Sequence, residues 1–154
     1  MEATRLTRNM GLRVEPEEHR RYRLVIADDH PDMRQEIREL LAREFDVVRA
    51  VGDGTELLAA TVEERPDAVI SDIQMTGLDG IEAGRQMLKR GLCEAIVVLT
   101  MYSDRRLVET AISAGIRGYV LKLDASDELI SAVHSALRGE RYLSARVRTP
   151  DKNS

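Results

Sequence analysis

Five times along this chain a short apolar run rich in β-branched residues gives way to a helical period. The runs are Arg23–Ala27, Val47–Val51, Ala68–Asp72, Ala95–Leu99 and Gly118–Leu121. After each, apolar residues recur at three- and four-residue spacing. They are Met33, Ile37, Leu40 and Leu41; Leu57, Leu58, Ala60 and Val62; Ile81, Gly84 and Leu88; Leu107, Ala111 and Ile112; and Leu129, Val133 and Leu137. Strict strand–helix alternation predicts a parallel sheet covered on both faces, because every crossover lays a helix on the sheet.

Punctuation agrees with this division. Pro31 suits a first helical turn, and the second helix must stop before Pro66. Asp79 followed by Glu82 reads as a capping-box variant, Asp104 and Ser126 read as N-caps, and Gly91, Gly115 and Gly139 read as helix stops. Arg49 interrupts the second run, as expected near a sheet edge. Right-handed crossovers leave few topologies, and the expectation is an α/β fold: a doubly wound five-stranded parallel sheet, flavodoxin-like (βα)5, strand order 2-1-3-4-5. Residues 1–21 show no sustained period and read as an N-terminal extension, residues 22–139 as the folded body, and residues 140–154 as a polar, Arg-rich linker or tail.

At 154 residues the chain can bury one core without staples. With 23 basic and 27 acidic residues it is mildly acidic, which gives no electrostatic reason to expect direct nucleic-acid binding. Arg141, Arg146, Arg148 and Lys152 read as a solvated tail. The single Cys93 excludes an intrachain disulfide and fits a reducing compartment. No apolar run reaches membrane-span length and no signal-peptide core opens the chain, so a cytoplasmic protein is expected.

The first, third, fourth and fifth strands end in Asp28-Asp29, Asp72, Thr100 and Lys122. In the order 2-1-3-4-5 these strands are contiguous, so their ends converge at the carboxyl edge, where open α/β sheets place ligands. Singly, each residue has a plainer reading: Asp29 as a helix cap, Asp72 as a turn former, Thr100 and Lys122 as ordinary surface. Together, three carboxylates beside one Lys call for a further cation, since two carboxylates about 4 Å apart repel by roughly 4 kcal/mol at an effective dielectric near 20. Oxygen donors suit Mg²⁺. None of His19, His30 and His134 is spaced with another, or with Cys93, as a transition-metal ligand set. Such a pocket suits phosphoryl transfer to an Asp, with Lys and Thr binding phosphoryl oxygens.

These residues make the chain resemble the receiver domain of bacterial two-component response regulators, over about Tyr22 to Gly139. The motifs are Asp28-Asp29-His30-Pro31, Asp72 with Met75, Gly77, Asp79 and Gly80, Leu99-Thr100, and Gly118-Tyr119-Val120-Leu121-Lys122. The resemblance implies that Asp72 is the phosphoacceptor, that Asp28, Asp29, Asp72 and the Gln74 backbone carbonyl hold Mg²⁺, and that Thr100 and Lys122 bind the phosphoryl group. Thr100 and Tyr119 would be the switch residues, Tyr119 swinging inward on activation. A sensor histidine kinase would be the phosphoryl source.

Finer detail, including Leu99-Thr100-Met101-Tyr102 and Ala136-Leu137-Arg138-Gly139-Glu140-Arg141-Tyr142-Leu143-Ser144, is similar to the NarL/FixJ-type branch, in which a linker and a DNA-binding domain follow. The implied output is transcription control through a domain absent from this chain; the alternative is a stand-alone receiver acting through protein contacts. Thr76 stands where the family usually has Pro, and Leu123 where many members have a cis-Pro, so a trans bond is expected there. Gln74 and Tyr102 occupy positions that tune phosphoryl lifetime in the family. A phosphohydrolase would want an acid/base Asp at position 74, so a non-enzyme is expected. Leu129, Ile130, Val133 and Leu137 are broader than a narrow stripe, which raises a homodimer as a further expectation.

Overall fold

The computed structural model describes residues 21–148; what the sequence suggests for residues 1–20 and for Lys152 lies outside them. Strands and helices alternate as β1 (Arg23–Ala27), α1 (Pro31–Leu41), β2 (Asp46–Val51), α2 (Gly54–Glu64), β3 (Ala68–Asp72), α3 (Gly80–Lys89), β4 (Ala95–Thr100), α4 (Arg105–Ser113), β5 (Gly118–Leu121) and α5 (Ala125–Leu137). After them come β6 (Tyr142–Leu143) and α6 (Ala145–Arg148). All strand pairs are parallel, in the order β2-β1-β3-β4-β5-β6.

The five-stranded expectation is therefore corrected to six. Gly139, at φ 83°, turns the chain back after α5, and Tyr142–Leu143 pairs with the open edge of β5. The Tyr142 amide donates to the Arg117 carbonyl and the Ser144 amide to that of Tyr119. The buried Ser144 hydroxyl accepts from the Leu121 amide, and Arg146 reaches Asp124 at 3.4 Å. Two apolar residues in a polar stretch leave no period to read.

Alternation along the strands divides the core into two layers. Leu24, Ile26, Ile70, Val97 and Val120 face α1 and α5, meeting Ile37, Leu41, Leu129 and Val133. Val25, Val69, Ile96 and Val98 face the other helices, meeting Leu57, Met87 and Val108. The sheet is thus covered on both faces, which is why β3 and β4 read as continuous apolar runs. Leu129 and Val133 are fully buried, and Ile130 and Leu137 pack against the same core. The core therefore consumes most of the stripe on which the homodimer expectation rested.

Most local signals act where expected. Pro31 opens α1, Asp53 and Asp79 accept from the Glu56 and Glu82 amides, and Asp104 accepts from that of Arg106. Ser126 is the exception. A 3-10 turn at Lys122–Asp124 runs directly into α5, so Asp124 takes the N-cap position, without a side-chain cap bond, and Ser126 lies inside the helix. Met87 and Val108, rather than Leu88 and Leu107, are the buried anchors of α3 and α4. Among the described residues no peptide bond is cis, Leu123 included, and no helix is long and apolar enough to cross a membrane.

Candidate functional site

The site is assembled at the carboxyl edge from the ends of β1, β3, β4 and β5. Pairing Asp72 with Leu99, and Thr100 with Leu121, brings residues distant in sequence to one level of the sheet. The close approach of α3 to β3 depends on Gly80: a Cβ there would stand 2.1 Å from the Asp72 carbonyl oxygen. Its amide donates to Ile73, whose own amide donates to Leu99, so the chain leaving Asp72 is held on both sides.

Asp28, Asp72 and Thr100 are almost wholly buried. Lys122 Nζ stands 3.0 Å from Asp28 Oδ2 and 3.0 Å from Asp72 Oδ2. Asp72 Oδ1 receives a long 3.4 Å bond from the Gln74 amide, and Asp28 Oδ1 a 2.9 Å bond from that of His30. Asp29, 29% exposed, does not cap α1; His30 occupies that position without a side-chain bond. Asp29 Oδ1 is shut off from solvent and accepts no hydrogen bond from the described residues, although His30 Nδ1 stands 3.0 Å from it.

Burial raises the Asp72 carboxyl above the usual carboxylate range, and Asp28 adds to this, while Lys122 and the Gln74 amide pull the other way. Burial acts to lower Lys122, yet its contacts with Asp28 and Asp72 outweigh that and raise it. The two directions agree physically: one retained ammonium between two carboxylates leaves a buried excess of one negative charge. A divalent ion would relieve that excess, and one oxygen each from Asp28, Asp29 and Asp72, with a His30 nitrogen, lie within 4.8 Å of one another.

A cavity of about 150 Å³ opens over these groups, lined by Asp29, Asp72, Gln74, Thr100, Tyr102 and Lys122 among others, with room for several water-sized groups. Wider clefts of about 410 and 380 Å³ lie beside β2 and on α3, but neither gathers strand ends, so convergent chemistry rather than volume marks the site. Thr100 Oγ1 accepts from the Tyr102 amide at 3.1 Å. Tyr119 is already inward, 1% exposed, and its hydroxyl donates to the Tyr102 carbonyl at 3.0 Å. Burial pushes its phenol up to about 12; the Thr100 contact opposes this and Asp104 adds to it.

The structure thus brings Asp28, Asp29, Asp72, Gln74, Thr100 and Lys122 together, with Tyr119 beneath the β4–α4 loop. His30, part of the Asp28-Asp29-His30-Pro31 motif, is a ligand-type residue at the site to which sequence alone assigned no role. Its only signal was adjacency to Asp29.

Residues 24–134 match the family described as response regulator receiver domain. The chain is 32% identical over 128 residues to the nitrate/nitrite response regulator protein homolog of Haemophilus influenzae, covering 82% of this chain and 62% of that protein. It is 34% identical over 127 residues to the transcriptional regulatory protein LiaR of Bacillus subtilis, covering 81% and 60%. The chain therefore spans about three fifths of the length of these curated relatives. Among solved structures, it is similar to a LuxR-family two-component response regulator from Aurantimonas sp., with a TM-score of 0.77, 32% identity and coverage of 83% of this chain and 93% of that one. It is also similar to the isolated receiver domain of RcsB from Salmonella enterica, with a TM-score of 0.75, 27% identity and coverage of 83% and 96%.

Proposed function

The chain belongs to the response regulator receiver domain family, with NarL/LuxR-type regulators among its relatives, and on that premise we propose that it is a phosphorylation switch whose acceptor is Asp72. The observation that carries this reading is the Lys122 ammonium 3.0 Å from both Asp28 and Asp72, beside a cavity that Thr100 also lines. An Asp72 carboxylate oxygen attacks the phosphorus of a phosphohistidine on a sensor histidine kinase. The O–P bond forms, the P–N bond breaks, and the imidazole leaves with the electron pair. Lys122 and the Thr100 hydroxyl hold the transferred oxygens.

The residues fit a divalent ion, since the buried Asp29 Oδ1 has no hydrogen bond among the described residues and the cluster carries excess negative charge. Asp28, Asp29, Asp72 and the Gln74 carbonyl would hold Mg²⁺, which when bound neutralises charge on the phosphoryl oxygens. Thr100, drawn toward the phosphoryl group, releases the Tyr102 amide, and the Tyr102 carbonyl passes the shift to Tyr119. The surface of the last two strand–helix units changes as a result.

The body is residues 22–139, with the linker beginning at 140 and docking its first residues as β6. The protein works in the cytoplasm as a switch rather than as a turnover enzyme, and its output is transcriptional, through a DNA-binding unit outside these residues. A small phosphodonor with Mg²⁺ adds the mass of one phosphoryl group to the wild type and nothing to Asp72→Asn. An unmodified wild type, or an equally modified variant, rejects the assignment.

A further inference from the structure

His30 has no part in the reading above, yet its position is unusual for a solvent-facing side chain. Its ring is 73% exposed, and among the described residues its polar contacts are Asp29 Oδ1 at 3.0 Å and Asp28 Oδ1 at 3.5 Å. The backbone is fixed beneath it: the His30 amide is bonded to Asp28 Oδ1, and Pro31 starts α1 immediately after. The ring thus stands on a rigid corner, with Nδ1 turned toward the carboxylates.

The separations come close to those of ligands around an ion. In an octahedral site with bonds of about 2.1 Å, neighbouring donors stand about 3.0 Å apart and opposite ones about 4.2 Å. The His30–Asp29 pair matches a neighbouring pair, and the donors of Asp28, Asp29, His30 and Asp72 all lie within 4.8 Å of one another, so small side-chain movements bring the set to coordination distance. The ions differ in what they make of such a donor. Mg²⁺ holds oxygen ligands and its own waters, so an imidazole nitrogen offers it little, whereas transition ions bind imidazole readily.

We infer that His30 Nδ1 is a nitrogen ligand of the Asp28–Asp29–Asp72 cation site, which makes the pocket favour divalent transition ions over Mg²⁺. This rests on the reading that those carboxylates hold a cation.

Titration calorimetry of the full chain with MnCl₂ and with MgCl₂, on the wild type and on His30→Gln, tests it. Pulsed electron paramagnetic resonance of bound Mn²⁺ supplies a second readout. The expected result is an Mn²⁺ affinity about tenfold lower in His30→Gln, an Mg²⁺ affinity changed by no more than about twofold, and a ¹⁴N coupling to Mn²⁺ present in the wild type and absent in the variant. Melting curves without metal verify that the variant is folded. Mn²⁺ bound without ¹⁴N coupling, or equal loss of both affinities, overturns the role of His30 and leaves the phosphorylation switch standing. Absence of binding by either ion overturns the cation site itself.

Discussion

The two halves of the carboxyl edge are built differently. Around β1 and β3 the backbone is closely fitted: the Asp28 amide donates to Val51, Ile73 to Leu99 and Gly80 to Ile73. A Cβ on Gly54 would stand 1.9 Å from the Leu78 carbonyl oxygen. Just after β4 and β5 the chain is open. Met101, Tyr102 and Leu123 are 68%, 52% and 72% exposed, and two bonds to Tyr102, from its amide to Thr100 and from Tyr119 to its carbonyl, pin the β4–α4 loop. The acids sit against closely fitted backbone; the Thr100 hydroxyl and the Tyr119 phenol contact an exposed loop. Lys122 joins the halves, and a charge change at Asp72 is felt first on the side of that loop.

Removing that join should have the largest effect. Lys122→Met leaves two buried carboxylates without their ammonium and should lose about 3 kcal/mol in urea unfolding, with Mg²⁺ restoring part of it. A variant as stable as the wild type would mean that the halves are not tied electrostatically. Next, Gly80→Ala forces a Cβ against the Asp72 carbonyl and should cost about 2 kcal/mol, while Met101→Ala in the open half stays within about 0.5 kcal/mol. Equal losses would erase the contrast.

Tyr119→Phe deletes one hydrogen bond and should cost about 1 kcal/mol. Amide exchange in residues 101–106 should quicken, while the Ile73 and Gly80 amides hold their protection. Mg²⁺ should raise the melting temperature of the wild type by several degrees and that of Asp29→Ala by less; equal shifts would remove Asp29 from the site. The smallest effect is the alkaline one. Tyr119 is held neutral up to about 12 against an ordinary 10.0, so the folded state binds this proton more tightly than the unfolded. That contribution is complete below pH 10 and is lost as pH rises through 12. Phenolate absorbance of the wild type minus that of Tyr119→Phe should show one phenol ionising near 12.

Much of this was legible in the order of residues. β3 runs Ala68–Asp72, as read from an apolar run ending in one acid, and Asp79 caps α3 as its spacing with Glu82 implied. Ser126 failed as a cap because a 3-10 turn, stabilised by no side-chain signal, consumes the residues before it. The inner face of α3 was read about one residue off, as Met87 shows, because periodicity defines a stripe but not its centre.

The sequence by itself determined the alternation of strands and helices, and with it the residues that end each strand, because hydrophobic period, caps and turn formers act over a few neighbouring positions. Tertiary structure alone decided that Tyr142–Leu143 adds a sixth strand, that Lys122 bridges Asp28 and Asp72, that Tyr119 lies under Tyr102, and that the His30 ring meets Asp29. The first three are contacts between elements brought together by the sheet, and the last depends on how the turn before α1 is folded. Distances of that kind exist only once the chain has closed on itself.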